Sequence, residues 1–202
     1  VKSHAPEKPK GSLAYRKNEA AIKRGDVPEK YTRLLPHIPG NRILEIGSAE
    51  GVLALLLARE GRHVTAVEKS EERHGAAGQL YGEWLAREMR FHAPVFVNDS
   101  IGNRLDLLNG IDTLVAVRSI YYLGDELDRV FSKAAQKKVR NIVLCGNRNR
   151  AEGYRRGERA TDTKADNYYA SREGMRDLLI RHGYSIASEV LEGDEIVVGR
   201  IE

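Results

Sequence analysis

The chain has 202 residues, with 33 Lys and Arg against 29 Asp and Glu, a formal net charge of +4, and hydrophobic side chains at 41% of positions. That length suits one domain with a substantial core and leaves no room for a second large one. The mild basicity favours phosphate-bearing or acidic partners but falls short of a nucleic-acid signature, and the single cysteine, Cys145, excludes an intrachain disulfide and a cysteine zinc cluster. Residues 1–11, rich in Lys and Pro and poor in apolar side chains, read as a mobile arm. Two helices are expected between residues 12 and 38. The second is entered through Asp26-Val27-Pro28-Glu29, where Asp26 can cap, Pro28 suits the first turn and Glu29 completes a capping box. Pro36 and Pro39-Gly40 end it, so residues 1–40 form an arm and helices packed on the remainder of the chain.

Arg42-Ile43-Leu44-Glu45-Ile46-Gly47-Ser48-Ala49-Glu50-Gly51 then runs an apolar strand (42–46) through an acid into a glycine turn that opens a helix (52–59). Glycines let backbone approach a ligand without a Cβ in the way, and the new helix presents unpaired N–H groups to it. Leu53, Leu55, Leu56 and Leu57 give that helix its apolar stripe. A second strand (63–67) delivers Glu68 to the place where Rossmann-like folds hold ribose hydroxyls with a carboxylate.

The segment ILEIGSAEG resembles the first motif of the class I S-adenosylmethionine-dependent methyltransferases, an acid, one apolar residue and a glycine-rich turn, with Ala49 in place of the middle glycine. A nicotinamide enzyme would instead need a third glycine where Val52 stands. The resemblance implies S-adenosylmethionine as cofactor and assigns its site. Glu45 with Gly47, Ser48, Ala49 and Gly51 would lie under the methionine part, and Glu68, with Lys69 beside it, would hold the ribose. Asp99, beside Ser100 and Ile101, would read the adenine amino group, with Asn98 as a rival. Glu50 reads as solvated.

Further strands are expected at 94–97, 113–117 and 141–145, and further helices at 71–89, 125–137 and 172–182, the last capped by Ser171. In the long helix Leu80, Trp84, Leu85 and Met89 recur at helical spacing. Residues 184–191 and 195–201 read as a hairpin turning at Gly193-Asp194. Alternating strands and helices imply an α/β fold, and the resemblance implies a Rossmann-like, seven-stranded, mostly parallel sheet with a C-terminal antiparallel hairpin and helices on both faces, spanning residues 41–202.

Methyl transfer from a sulfonium is an in-line displacement with an already activated donor, so few catalytic residues are needed. The candidates lie in Arg118-Ser119-Ile120-Tyr121-Tyr122-Leu123, at the carboxyl end of the fourth strand, where open α/β sheets place ligands. Arg118 would meet the cofactor carboxylate or an anionic substrate. Tyr121 or Tyr122 would orient an acceptor hydroxyl or shield the methyl group, although a tyrosine of ordinary pKa, about 10, is a poor base; core packing is the competing role. The segment lacks the Asp/Asn-Pro-Pro-aromatic pattern of base-amino methyltransferases, and an arginine there argues against a metal-assisted catechol-type site, so no metal is expected. Cys145, ending an apolar strand, reads as a buried hydrophobe rather than a nucleophile.

Residues 146–170 are too long for an ordinary connection and are rich in Arg and Tyr, including Arg148, Arg150, Arg155, Arg156, Arg159, Lys164, Tyr154, Tyr168 and Tyr169, with Asp162 among the balancing acids. A basic substrate lid, in which Arg148, Arg155 and Arg156 grip phosphate, sulfate or carboxylate, competes with a solvated loop. Together these features point to a methyltransferase acting on an oxygen of a small molecule or glycan, an anionic one included. An RNA methyltransferase is the alternative suggested by the basic loop and Lys-rich arm, and a non-catalytic partner protein of the same fold is another. No apolar run approaches a membrane span, and the opening shows neither a signal-peptide nor a lipidation pattern, so a cytoplasmic location is expected. The sequence leaves oligomeric state open.

Overall fold

The computed structural model describes residues 8–10, 13–71, 75–158 and 165–202. Seven strands form one sheet: β1 (Arg42–Ile46), β2 (His63–Glu68), β3 (Val95–Asn98), β4 (Thr113–Val117), β5 (Asn141–Cys145), β6 (Ser185–Val190) and β7 (Ile196–Arg200). Their order is β3-β2-β1-β4-β5-β7-β6, and β7 alone runs antiparallel to both of its neighbours. The C-terminal hairpin therefore folds back so that its second strand, not its first, meets β5.

The apolar runs of β1, β4 and β5 are buried because helices cover both faces of the sheet. Ile43, Val115, Val143 and Cys145 pack on one face against the leucines of α3 (Val52–Arg59) and against Tyr81 and Leu85 of α4 (Gly75–Glu88). Leu44, Ile46, Leu114, Ala116, Ile142 and Leu144 pack on the other against α5 (Glu126–Gln136) and α7 (Arg172–Arg181). Strand alternation puts Glu45 on the first face, in the middle of the sheet, opposite Ala66 and Val115. Order reverses between β1 and β4, with β2 and β3 to one side and β5 to the other, which opens a crevice at the carboxyl ends of these strands.

Departures from the sequence expectations are local. Between residues 12 and 38 the chain forms α1 (Leu13–Arg24), then α2 (Glu29–Thr32), which is a single turn, and a further turn at Leu35–His37. The capping box does not form: Pro28 itself occupies the cap position in extended conformation without a side-chain bond, and Asp26 pairs with Arg24 at 3.0 Å. Leu80 is 56% exposed, because the buried stripe of α4 runs through Tyr81 and Leu85 instead. The 146–170 segment is not a structureless loop; it holds α6 (Arg148–Arg155), capped by Asn147, and a turn at Asn167–Ala170. Arg159, Asp162 and Lys164 lie outside the described residues. So does most of the expected mobile arm, yet Lys8 is docked, 2.8 Å from Glu19 and with its ammonium 4.8 Å from the Trp84 ring. The Ser171 cap forms as expected, its side chain accepting from the Gly174 amide. Among the described residues no helix is long and apolar enough to cross a membrane.

Candidate functional site

A cavity of about 730 Å3 occupies the crevice, within the ~300–1,000 Å3 usual for small-molecule sites. Its floor is the turn after β1. Gly47 and Ser48 donate their amides to the Val67 carbonyl at 2.8 and 3.1 Å, and the Gly51 amide closes on the Ser48 carbonyl at 2.7 Å. Three residues of this turn are left-handed: Gly47 (φ 69), Ala49 (φ 48) and Gly51 (φ 73), the last leading into α3. Ala49 is therefore held where glycine is at ease, at a cost of about 1 kcal/mol. Ala49→Gly should raise stability by ~0.5–1 kcal/mol, part of the relief being offset by the added freedom of the unfolded chain. Thermal melts check this, and a lowered melting temperature would show that the turn carries no strain at that position.

Glu68 staples this turn. One carboxylate oxygen accepts the Ala49 amide and the other the Ser70 amide, both at 2.9 Å, and the side chain lines the cavity. Glu45 lies deeper, 3% exposed. Burial pushes its carboxyl up to about 8, partly countered by the Ala54 amide and the Lys30 charge, with the Glu68 charge adding to the rise. Its Oε2 is buried, and neither it nor the buried Ser48 hydroxyl has a hydrogen-bond partner among the described residues. Both residues face the cavity. At the far wall Asp99 accepts from the Ser100 amide (2.7 Å) and from Asn103 Nδ2 (2.9 Å), while Asn98 lies outside the lining. Glu50, expected to be solvated, is half-buried and also lines the cavity. The described lining holds six carboxyl groups (Glu45, Glu50, Glu68, Glu71, Asp99, Asp194) against three cations (Lys30, Lys69, Arg118), an excess that suits a cationic ligand with hydroxyl groups.

No protein-family model and no curated protein matches the chain. Solved structures do. Magnesium protoporphyrin IX methyltransferase from Synechocystis PCC 6803, with bound SAM, superposes with a TM-score of 0.63 at 16% identity over 95% of this chain and 86% of that one. The PH0226 protein from Pyrococcus horikoshii OT3 gives 0.61 at 15%, covering 95% and 92%. The methyltransferase domain of bacterial CtHen1 gives 0.59 at 13%, covering 94% and 100%. The chain has the class I S-adenosylmethionine-dependent methyltransferase fold.

At the carboxyl end of β4, where open α/β sheets place ligands, the two tyrosines part company. Tyr122 lines the cavity; its hydroxyl accepts from Arg150 at 2.7 Å, and the guanidinium also donates to Asn167 at 3.0 Å. Tyr121 is buried against Ala165 and Ala170, outside the lining, with its ring 4.7 Å from that of Tyr122. Burial raises its pKa. Arg118 does line the cavity, in left-handed conformation (φ 53), and pairs with Asp194 from the hairpin turn, its Nε 2.8 Å away. Lys69 donates to the Tyr122 carbonyl at 3.2 Å. Cys145 lines the cavity too, but burial pushes its thiol up to about 12, which removes it as a nucleophile at neutral pH.

The three arginines of the expected lid are not brought to this cavity. Arg148 bonds Glu152 at 2.7 Å, Arg155 bonds Glu173 and Glu195, both at 2.8 Å, and Arg156 bonds Glu158 at 2.5 Å. Helix α6 directs Arg148 and Arg155 to a separate groove beside the hairpin, shared with Arg33 and Glu192, and Arg156, just past the helix, lines neither cavity. Lining residues that the sequence does not signal are Lys30 and Tyr31 of α2 and Asp194. Nothing in the local pattern marks the first two, because a single turn is too short to show a periodicity. Arg150 could be singled out only as one of several basic residues.

Proposed function

We propose that this protein binds S-adenosylmethionine and transfers its methyl group to an oxygen of a small molecule or glycan. The observation that carries the reading is the buried, unpartnered Glu45 Oε2 facing an acidic cavity between a left-handed glycine turn and the Glu68 carboxylate. Buried polar atoms are seldom left without a partner, and this one suits an ammonium. Glu45 and the Gly47–Gly51 turn would hold the amino-acid part, Glu68 the ribose hydroxyls, and Asp99 with the Ser100 region the adenine. When bound, the sulfonium supplies a methyl group that needs no further activation. The chain's own residues then position the acceptor and keep water out. The first task would fall to Tyr122, a reading supported by its place in the cavity lining and by the Arg150 bond that holds its hydroxyl. The magnesium protoporphyrin methyltransferase among the structural neighbours agrees with a small-molecule acceptor. RNA draws less support, since Arg148, Arg155 and Arg156 are already engaged by carboxylates.

Calorimetry with S-adenosylmethionine and S-adenosylhomocysteine tests the reading, with a Kd on the order of 10 μM expected for each. Labelled methyl transfer into hydroxyl-bearing acceptor pools is the second measurement. Lack of uptake of both compounds overturns the proposal. Uptake without transfer to any acceptor would favour a non-catalytic partner protein of the same fold.

A further inference from the structure

The three cations of the cavity are not equally committed. Arg118 is held by Asp194, whose second oxygen also accepts the Arg148 amide at 3.1 Å, so this carboxylate is fixed from two sides. Lys69 follows β2, next to Glu68, and bonds the Tyr122 carbonyl. Lys30 differs: among the described residues no carboxylate lies within ion-pair distance, and its ammonium rests 4.6 Å from the centroid of the neighbouring Tyr31 ring. Lys30 sits at the glycine-turn end of the cavity, where Glu45, Glu50 and Arg118 act on it electrostatically. Beside it is the buried Glu45 carboxyl with its unpartnered oxygen.

We infer that Lys30 receives the carboxylate of the ligand's amino-acid end, opposite an ammonium held by Glu45. This rests on the reading that the ligand is S-adenosylmethionine and adds a residue, from outside the sheet, that recognises one part of it. A cation and an acid, each with unmet electrostatic demand at one end of a cavity, match an α-amino acid, which presents both charges on a single carbon. The neighbouring ions sharpen the division of labour. Asp194 already neutralises Arg118 and occupies its Nε and Nη2, whereas among the described residues no carboxylate lies within ion-pair distance of Lys30 to offset its charge. Lys30 also lies on a single-turn helix tethered to the domain mainly through the buried Tyr31, so the first 40 residues contribute to the site as well as covering the sheet.

The test compares two ligands that differ at that end. S-Adenosylhomocysteine carries the amino-acid group and methylthioadenosine lacks it, while both keep the adenosine and a neutral sulfur. For Lys30→Met, calorimetry should show about a tenfold loss of S-adenosylhomocysteine affinity with methylthioadenosine affinity unchanged within a factor of about two. Lys30→Arg should restore most of the loss. Lys30 is solvent-exposed, so both variants should melt close to the wild type, and melting curves verify that the fold is kept. Equal losses for the two ligands, or no loss for either, would overturn the assignment while leaving the cofactor reading intact. Failure of the wild-type protein to take up either ligand would overturn both.

Discussion

Glu45→Gln raises the melting temperature at pH 7 and removes most of the affinity for the proposed cofactor. Both effects come from a carboxyl group buried in the middle of the sheet, with its ordinary value of 4.5 pushed up to about 8. In the unfolded chain Glu45 is ionised at pH 7; in the native protein it holds a proton. The native state thus binds more protons than the unfolded state between about pH 4.5 and pH 8, and its stability falls as pH rises through that window, levelling off above it. Each unit is worth ~1.4 kcal/mol and pH 7 lies about 2.5 units above the ordinary value, so a neutral amide of the same shape should gain about 3 kcal/mol at pH 7, or ~6–12 °C for a domain of this size. The gain should shrink towards zero as the pH approaches 4.5. The same substitution removes the negative charge offered to an ammonium and turns an acceptor into a donor, which should weaken S-adenosylhomocysteine binding by ~10–100-fold. In the wild-type protein, binding requires the ionised form, so affinity should climb nearly tenfold per unit up to about pH 8 and then flatten; Glu45→Gln should flatten it throughout. The charged groups that set this balance are Lys30 from α2 and Glu68 at the end of β2, together with the Ala54 amide of α3. Melts and calorimetry from about pH 5 to about pH 9 read all of these outcomes. An unchanged melting temperature combined with unchanged affinity would mean that the Glu45 oxygen neither carries a burial cost nor meets the ligand.

The sheet was legible in the sequence because its strands are short apolar runs set off by glycine turns. β1, β4 and β5 begin and end where the pattern of Arg42 to Cys145 places them, and the first acid and its turn form the floor of the cavity. Legibility failed where side chains meet across long sequence distances. Tyr121 and Tyr122 are adjacent and chemically alike, and only the turn at Ile120–Tyr122 decides that one faces the cavity and the other the interior. The arginine-rich segment reads, by its charge and length, as a lid. Its helix-forming content is hidden by Gly153 and the low hydrophobicity of RNRAEGYR, and the acids that neutralise its arginines come partly from Glu173 and Glu195, remote in sequence. Lys30 and Asp194 reach the cavity through the packing of α2 and the hairpin turn, a consequence of tertiary structure without local signature.

Gly47→Ala should be the most damaging single-methyl change in the site, lowering stability by ~3 kcal/mol and the melting temperature by ~6–12 °C. Two costs combine. Gly47 sits at φ 69, a conformation that costs an L residue ~1–2 kcal/mol. A Cβ built there would also collide with the Cβ of Ser119. Ser119 has little room to yield, because its hydroxyl donates to the Ile46 carbonyl at 2.6 Å, bonding the start of the β4 exit loop to the end of β1. The new methyl therefore pushes apart the two strand ends that flank the switch point, and ligand binding should fail together with stability. The double variant Gly47→Ala, Ser119→Gly separates the two contributions: it removes the collision and leaves the backbone strain, so about half of the lost stability should return, less what the missing serine hydrogen bond contributes. Recovery of none would place the whole cost in the left-handed backbone. Full recovery would show that the turn tolerates an L side chain at Gly47 and that only the close approach of Ser119 demands glycine there.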